Sequence, residues 1–126
     1  MSRFGMPWGS VELEAEVTEW VGGLPAAEFG RAEFYIDLLA ERGPLLDQPY
    51  TRQSRGKLRE LRFYLGSRGD AVRVSYFIAA GRRIILLTVF RKQRQQERAE
   101  IDRAYKAMQR CIEEKHVAEE NGDETK

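Results

Sequence analysis

"LRELRFYLGSRGDAVRVSYFIAAGRRIILLTVFRK", residues 58–92, decides the fold. Three strand-like runs, 58–65, 71–79 and 83–90, are separated by "GSRGD" and "AAGR", turn signals short enough for hairpins, so the simplest layout is an antiparallel meander. The third run, I-I-L-L-T-V-F, does not alternate, which marks a central strand covered on both faces. Strand parity then sorts the side chains. Leu61, Phe63 and Leu65 share one face of the first run, and Glu60, Arg62 and Tyr64 share the other. In the second run Val72, Val74, Tyr76 and Ile78 face one way while Arg73 and Ser75 face the opposite way. Tyr76 is therefore a packing residue.

Outward from the meander, residues 11–17 read V-E-L-E-A-E-V, an alternation that predicts a strand with Val11, Leu13 and Ala15 inward. A short helix follows, capped by Thr18, with Val17, Trp20, Val21 and Leu24 on one side and Gly22, Gly23 and Pro25 at its end. Between Ala26 and Arg42, Phe29, Ala32, Ile36 and Leu39 recur at helical spacing until Gly43 and Pro44 stop the pattern. A loop through Tyr50 leads into the meander. Residues 97–115 form a closing helix with Ile101, Ala104, Met108, Cys111 and Ile112 on one face. The expected order is β-α-α-β-β-β-α: an α+β domain over residues 1–112, with a small, antiparallel-rich sheet and helices packed on one face. The acidic segment 113–126 has too little apolar surface to order itself. Cys111 reads as a packing residue and His116 as a tail residue.

A length of 126 residues with 42% apolar composition supports one domain with a real core. The amino-terminal stretch lacks the apolar segment of a signal peptide, and nothing approaches the roughly 18 apolar residues of a membrane span, so a cytoplasmic protein with no membrane partner is expected. With one cysteine and one histidine, an internal disulfide, a cysteine-clustered zinc site and histidine-based catalysis are excluded, and no cofactor is expected. The net charge of +1 hides an asymmetry: residues 51–110 hold sixteen Lys/Arg against five Asp/Glu, or +11, and the remainder carries −10. A basic half beside an acidic one is how a small nucleic-acid-binding protein looks neutral overall; the alternative is solvated surface charge.

Four segments carry a resemblance. "GKLRELRF" (56–63), "VRVSYF" (72–77), "IILLTVFRK" (84–92) and "EIDRAYKAM" (100–108) follow the pattern of a glycine before L-x-E-L-R, then R-x-x-Y, then an apolar strand ending in F-x-K, then a helix opening with E-I-x-x-A. In this order the chain resembles the RelE/ParE toxin superfamily, in its HigB-like, phage-derived branch, over nearly its whole length short of the tail. The resemblance implies a RelE-like fold and the toxin of a type II toxin–antitoxin pair, a metal-independent endoribonuclease cutting mRNA on the ribosome. It also implies a cognate antitoxin, commonly a helix-turn-helix DNA-binding protein, and operator DNA bound through the antitoxin complex. The alternative within the superfamily is a non-enzymatic, ParE-like inhibitor of gyrase, or a module that binds nucleic acid and antitoxin without cleaving. The chain departs from the pattern at Ser54, where the family generally has leucine, so the approach to the first meander strand is expected to be looser.

If the apolar sets pack on helices, Glu60, Arg62, Tyr64 and Arg73 converge on the free side of the sheet, and Arg91, Lys92 and Arg94 overhang it. Metal-free cleavage needs a base for the 2′-hydroxyl, cations for the pentacoordinate phosphate and an acid for the leaving 5′-oxygen. Arg62 and Arg73 suit phosphate clamping by bidentate hydrogen bonds. Glu60 and Lys92 are the candidates for proton transfer, Glu60 with the alternative of an ion pair to Arg62 or Arg73. Arg55, Lys57, Arg59, Tyr64, Arg91 and Arg94 complete the expected RNA contacts, Tyr64 as a stacking face. The acidic tail lies in the same chain as this basic face, and shielding in cis is testable. Deleting residues 113–126 raises RNA affinity at low salt; unchanged affinity in a filter-binding titration counts against the shield.

Overall fold

A computed structural model of the protein describes residues 7–92 and 96–124. Strand β1 (Ser10–Leu13) leads into helices α1 (Ala15–Gly22) and α2 (Ala26–Arg42) and a single 3-10 turn, followed by strands β2 (Thr51–Arg55), β3 (Leu58–Leu65), β4 (Asp70–Ala79) and β5 (Arg83–Arg91) and helix α3 (Glu97–Glu124). The five strands form one sheet in the order β1-β5-β4-β3-β2, with β1 parallel to β5 and the other neighbours antiparallel. The meander and α2 lie where the sequence pattern puts them. Among the described residues no helix is long and apolar enough to cross a membrane.

Several expectations are corrected at the amino-terminal side and edge of the sheet. The first strand ends at Leu13: Glu14 N–H makes one last bond to Leu86 O, and Val17 and Thr18 N–H then close a helical turn on Glu14 O. Residues 13 and 17, four apart, satisfy both a strand period of two and one turn of helix, so alternation alone could not separate the two. Ala15 is exposed at the helix start, and Thr18 lies inside the helix instead of capping it. Phe29, expected inward on α2, is 39% exposed, one turn before the buried stripe begins at Ala32. The loop through Tyr50 stands, but the stretch between it and Leu58 holds an additional edge strand, T-R-Q-S-R, which has no apolar alternation to announce it; Thr51 is buried and the next two residues are exposed.

The α+β layout stands, but the helices flank both faces of the sheet, not one. On one face Leu61, Phe63, Leu65, Val72, Val74, Tyr76, Ile84 and Leu86 pack with Val17 of α1 and Ala32 and Leu39 of α2. On the other, Leu58, Phe77, Ile85 and Leu87 pack with Ala104, Met108 and Cys111 of α3. Both layers draw on β5, whose uninterrupted apolar run presents Ile84 and Leu86 to one core and Ile85 and Leu87 to the other. Its register against β4 shifts between Ser75 and Tyr76, which face Thr88 and Leu86 and leave Leu87 as the extra residue of a bulge. Helix α3 also runs on to Glu124, past the end expected at residue 115. Glutamate, lysine and alanine favour helix without needing an apolar stripe.

Glu16 fastens these layers at one end. Its carboxylate accepts from Val89 N–H of β5 at 3.0 Å and pairs with Arg103 of α3, whose guanidinium also reaches Glu100. Burial pushes the Glu16 pKa up, but the hydrogen bonds from Arg103 and Val89 outweigh it and the net direction is down. A carboxylate with a lowered folded-state pKa stabilises above its unfolded value and loses that contribution as pH falls through the folded one. Glu16→Gln is therefore expected to cost about 1 kcal/mol at pH 7, discounted for the partial exposure of the pair, and progressively less as pH falls through the acid range, read by urea unfolding.

Candidate functional site

The register of the antiparallel strands arranges the polar residues in ranks on the face that carries α3. The first rank runs Arg52 (β2), Glu60 (β3), Ser75 (β4) and Thr88 (β5); the second runs Arg62, Arg73 and Phe90; the third holds Tyr64 opposite Ala71. Glu60, Arg62, Tyr64 and Arg73 thus share one face as parity requires. That face is not free, however. Leu58 and Phe77, one step along the same strands, lie under α3, and Glu60 and Arg73 are each only 3% exposed. Arg62 is partly exposed and Tyr64 is open at 57%. From α3 outward the face passes from dry core through buried charge to open surface.

Two arginines directly opposite each other repel, and here burial weakens solvent screening. Glu60 sits between them: its Oε1 is 3.6 Å from Arg73 Nε and 3.7 Å from Arg62 Nε. Both separations are ion-pair contacts longer than a hydrogen bond, and both Nε groups are buried without a hydrogen-bond acceptor. Arg73 instead donates an Nη1 hydrogen bond to the Val72 carbonyl at 3.1 Å. Burial pushes the Glu60 pKa up, against the pull of Arg73 and Arg62; it prevails because neither guanidinium hydrogen-bonds the carboxylate. For Arg73, burial and then the like charge of Arg62 push the pKa down while Glu60 opposes. Arg73 nevertheless stays a cation at neutral pH. By contrast Ser75 and Thr88 satisfy one another through their hydroxyls.

Beside Glu60 a cleft of about 280 Å³ opens between β2 and the start of α3, lined by Arg52, Ser54, Glu97, Arg98 and Ile101 among others. Arg52, Glu97 and Arg98 were not singled out from sequence. The only signal that finds Arg52 is its cross-strand pairing with Glu60, which requires β2 to be recognised first. Ser54 lies in β2 at the irregularity between Gln53 and Arg55, not in a loop before the strand.

Several expected RNA contacts lie elsewhere. Arg59 has the opposite parity and is on the α1/α2 side, where it donates to Tyr76 Oη at 3.3 Å and to Thr51 Oγ1 at 3.1 Å. Tyr76 itself is buried, as its parity requires. Arg91 pairs across the sheet with Val72, and its guanidinium meets Asp70 at 3.1 Å and Glu28 of α2 at 4.0 Å, on the same far side. Arg55 is held by Asp102 at 2.8 Å and lies over the Tyr105 ring. Lys57 is exposed in the β2–β3 turn, at the end of β3 remote from Tyr64. Lys92 is exposed just after β5, and its N–H bonds Ala71 O at 2.8 Å, which sets its backbone beside the Tyr64 rank. Arg94 lies outside the described residues. Among the described residues no group of three or more His, Cys, Asp or Glu side chains is placed to hold a metal ion.

With this geometry in hand, comparison with known proteins is informative. The family described as Phage derived protein Gp49-like (DUF891) matches residues 19–109. No curated protein matches the chain. Among solved structures, a double arginine-to-alanine mutant of the E. coli toxin RelE in the free state is similar with a TM-score of 0.54 and 14% identity, covering 83% of this chain and 98% of that one. A chain of the archaeal RelE–RelB complex from Pyrococcus horikoshii OT3 is similar with a TM-score of 0.50 and 22% identity, covering 71% of this chain and 99% of that one. At these identities the likeness shows the fold, and that fold is the RelE fold.

The placement of Arg59 gives a direct check. Arg59→Ala removes the donor to Tyr76 and Thr51 and is expected to lower stability by about 1–2 kcal/mol in denaturant unfolding while leaving RNA affinity unchanged. A weakened RNA affinity with unchanged stability would return Arg59 to the expected RNA contacts.

Proposed function

The chain belongs to the phage-derived Gp49-like family, and from that membership and its RelE fold we propose that it is the toxin of a type II toxin–antitoxin pair, a metal-independent endoribonuclease that cuts ribosome-bound mRNA in the cytoplasm and so stops translation. The observation that carries this reading is the opposed pair Arg62 and Arg73, each with a buried Nε that has no hydrogen-bond acceptor, at the edge of an open surface bearing Tyr64. Paired cations aimed at one place suit a phosphate, and an exposed aromatic beside them suits an unstacked base. Arg62 and Arg73 hold the scissile phosphate and stabilise the charge that builds on its oxygens as the 2′-oxygen attacks. Glu60 and Lys92 are the groups available for proton transfer. A cognate antitoxin, a helix-turn-helix protein that brings operator DNA into the complex, neutralises the toxin by laying an acidic segment over the arginine face.

Purified protein added to ribosomes programmed with mRNA is expected to cut in the decoding-site codon. Arg62→Ala and Arg73→Ala each lower the rate about 10²–10³-fold, the usual loss when a donor to a developing oxyanion is removed. Lys92→Ala with full activity would leave Glu60 as the proton-transfer group. An absence of cuts together with blocked DNA supercoiling by gyrase would replace this reading with the ParE-like one.

A further inference from the structure

Between Arg62 and Arg73 the fold carries its own anion. Resting on the phosphate-clamp reading above, we propose that Glu60 is a resident occupant of the clamp, which an incoming phosphate replaces as the counter-charge while Glu60 takes one proton from solvent. In the free protein the Glu60 carboxylate is the group that lies within ion-pair reach of both guanidiniums, at 3.6 Å and 3.7 Å. It is too far to hydrogen-bond either Nε, so both buried donors lack an acceptor in the free protein.

The clamp is narrow in charge. Two cations and one carboxylate leave a single excess positive charge; a bound phosphodiester neutralises the cluster as a whole but sets a second anion against Glu60, and that repulsion acts on Glu60 itself. With phosphate present, an ionised Glu60 would be a second buried anion beside the same arginines, the arrangement in which two acids share one proton. The other groups facing Glu60 do not relieve this. Arg52, its cross-strand neighbour on β2, favours the anion; Glu97 of α3 disfavours it; Ser75 of β4 is in its rank and Thr88 of β5 closes that rank, both uncharged. Arg98 lines the adjoining cleft. Burial already favours the neutral form in the free protein, so the phosphate completes a shift that the site has begun. A Glu60 that enters the complex protonated is no base for the 2′-hydroxyl; its proton is available to the leaving oxygen.

The coupling has a fixed sign. Binding that takes up a proton weakens as pH rises through the range in which free Glu60 ionises, by up to about tenfold per pH unit. Two non-reacting probes test it between pH 5 and 8.5: a 2′-O-methyl oligoribonucleotide, and inorganic sulfate, which does not titrate in that range. Wild-type affinity for both is expected to fall with pH. Glu60→Gln is expected to bind at pH 8 at least tenfold more tightly than wild type and with a flat pH profile. Calorimetry of the wild-type protein in buffers of different ionisation enthalpy is expected to show up to one proton taken up, and needs no folded variant. Binding by wild type with no proton uptake, or equal affinity and pH profile in wild type and Glu60→Gln, overturns the proposal, as does failure to bind either probe. Proton-linked binding by a protein that leaves ribosome-bound mRNA intact keeps the exchange and removes the ribonuclease.

Discussion

Arg62 stands directly across from Arg73 in the β3–β4 ladder, and much of the site is a response to that register. Like charges in that position destabilise a sheet by roughly 0.2–1 kcal/mol on a wet surface, and burial raises the cost. The ladder cannot slip to relieve it. A shift of one residue would carry either Leu61 and Phe63 of β3 or Val72 and Val74 of β4 out of the α1/α2 core and bring charge in. The hydrophobic pattern therefore holds the two guanidiniums together, and Glu60, one strand step from Arg62 on the same face, makes the arrangement tolerable.

Where that pair sits depends on how far α3 reaches across the sheet. Along β4 the α3 face reads Phe77, Ser75, Arg73; along β3 it reads Leu58, Glu60, Arg62, Tyr64. The apolar members lie beneath Ala104, Met108 and Cys111, and the polar ones emerge toward the helix start at Glu97. The Ser75–Thr88 hydroxyl pair marks the boundary, a satisfied polar contact between dry core and charged rank. The bulge at Leu87 lets β5 give α3 an apolar residue and still turn Thr88 to Ser75 on the same face, which strict alternation would not allow. One face of one sheet is thus both half a core and a charged, partly open surface.

What was legible in the sequence follows from what period and parity can carry. Runs of eight or more residues with glycine-rich turns between them gave away β3, β4, β5 and their antiparallel pairing with one another, and parity alone grouped Glu60, Arg62, Tyr64 and Arg73. It also separated Tyr76 from them. The same rule, applied to Arg59, puts it on the core side; grouping cations by their nearness in the chain instead of their parity placed it wrongly. Arg91 failed for a subtler reason: the bulge at Leu87 shifts parity by one, and no feature of I-I-L-L-T-V-F reveals a bulge. Strand β2 was invisible because an edge strand with exposed Arg52 and Gln53 needs no alternation. Burial of Glu60 and Arg73 was hidden because it depends on where α3 docks, a tertiary fact.

That burial bears on which anion the pair is built to hold. A carboxylate placed between the two guanidiniums stops several tenths of an ångström short of hydrogen-bonding either Nε, since hydrogen bonds of this type close to about 2.7–3.2 Å. Carboxylate oxygens lie in one plane, and Glu60 is tethered to the strand that also carries Arg62, so approaching one arginine draws it from the other. A free tetrahedral phosphate has oxygens in several directions and no tether, and can accept from both at once. On the phosphate-clamp reading, the Nε groups that lack an acceptor in the free protein would be met by the phosphate, and their desolvation, already incurred on folding, would not be charged again against binding. A site whose donors are buried, opposed and incompletely satisfied is preorganised for a ligand that its own carboxylate imitates poorly.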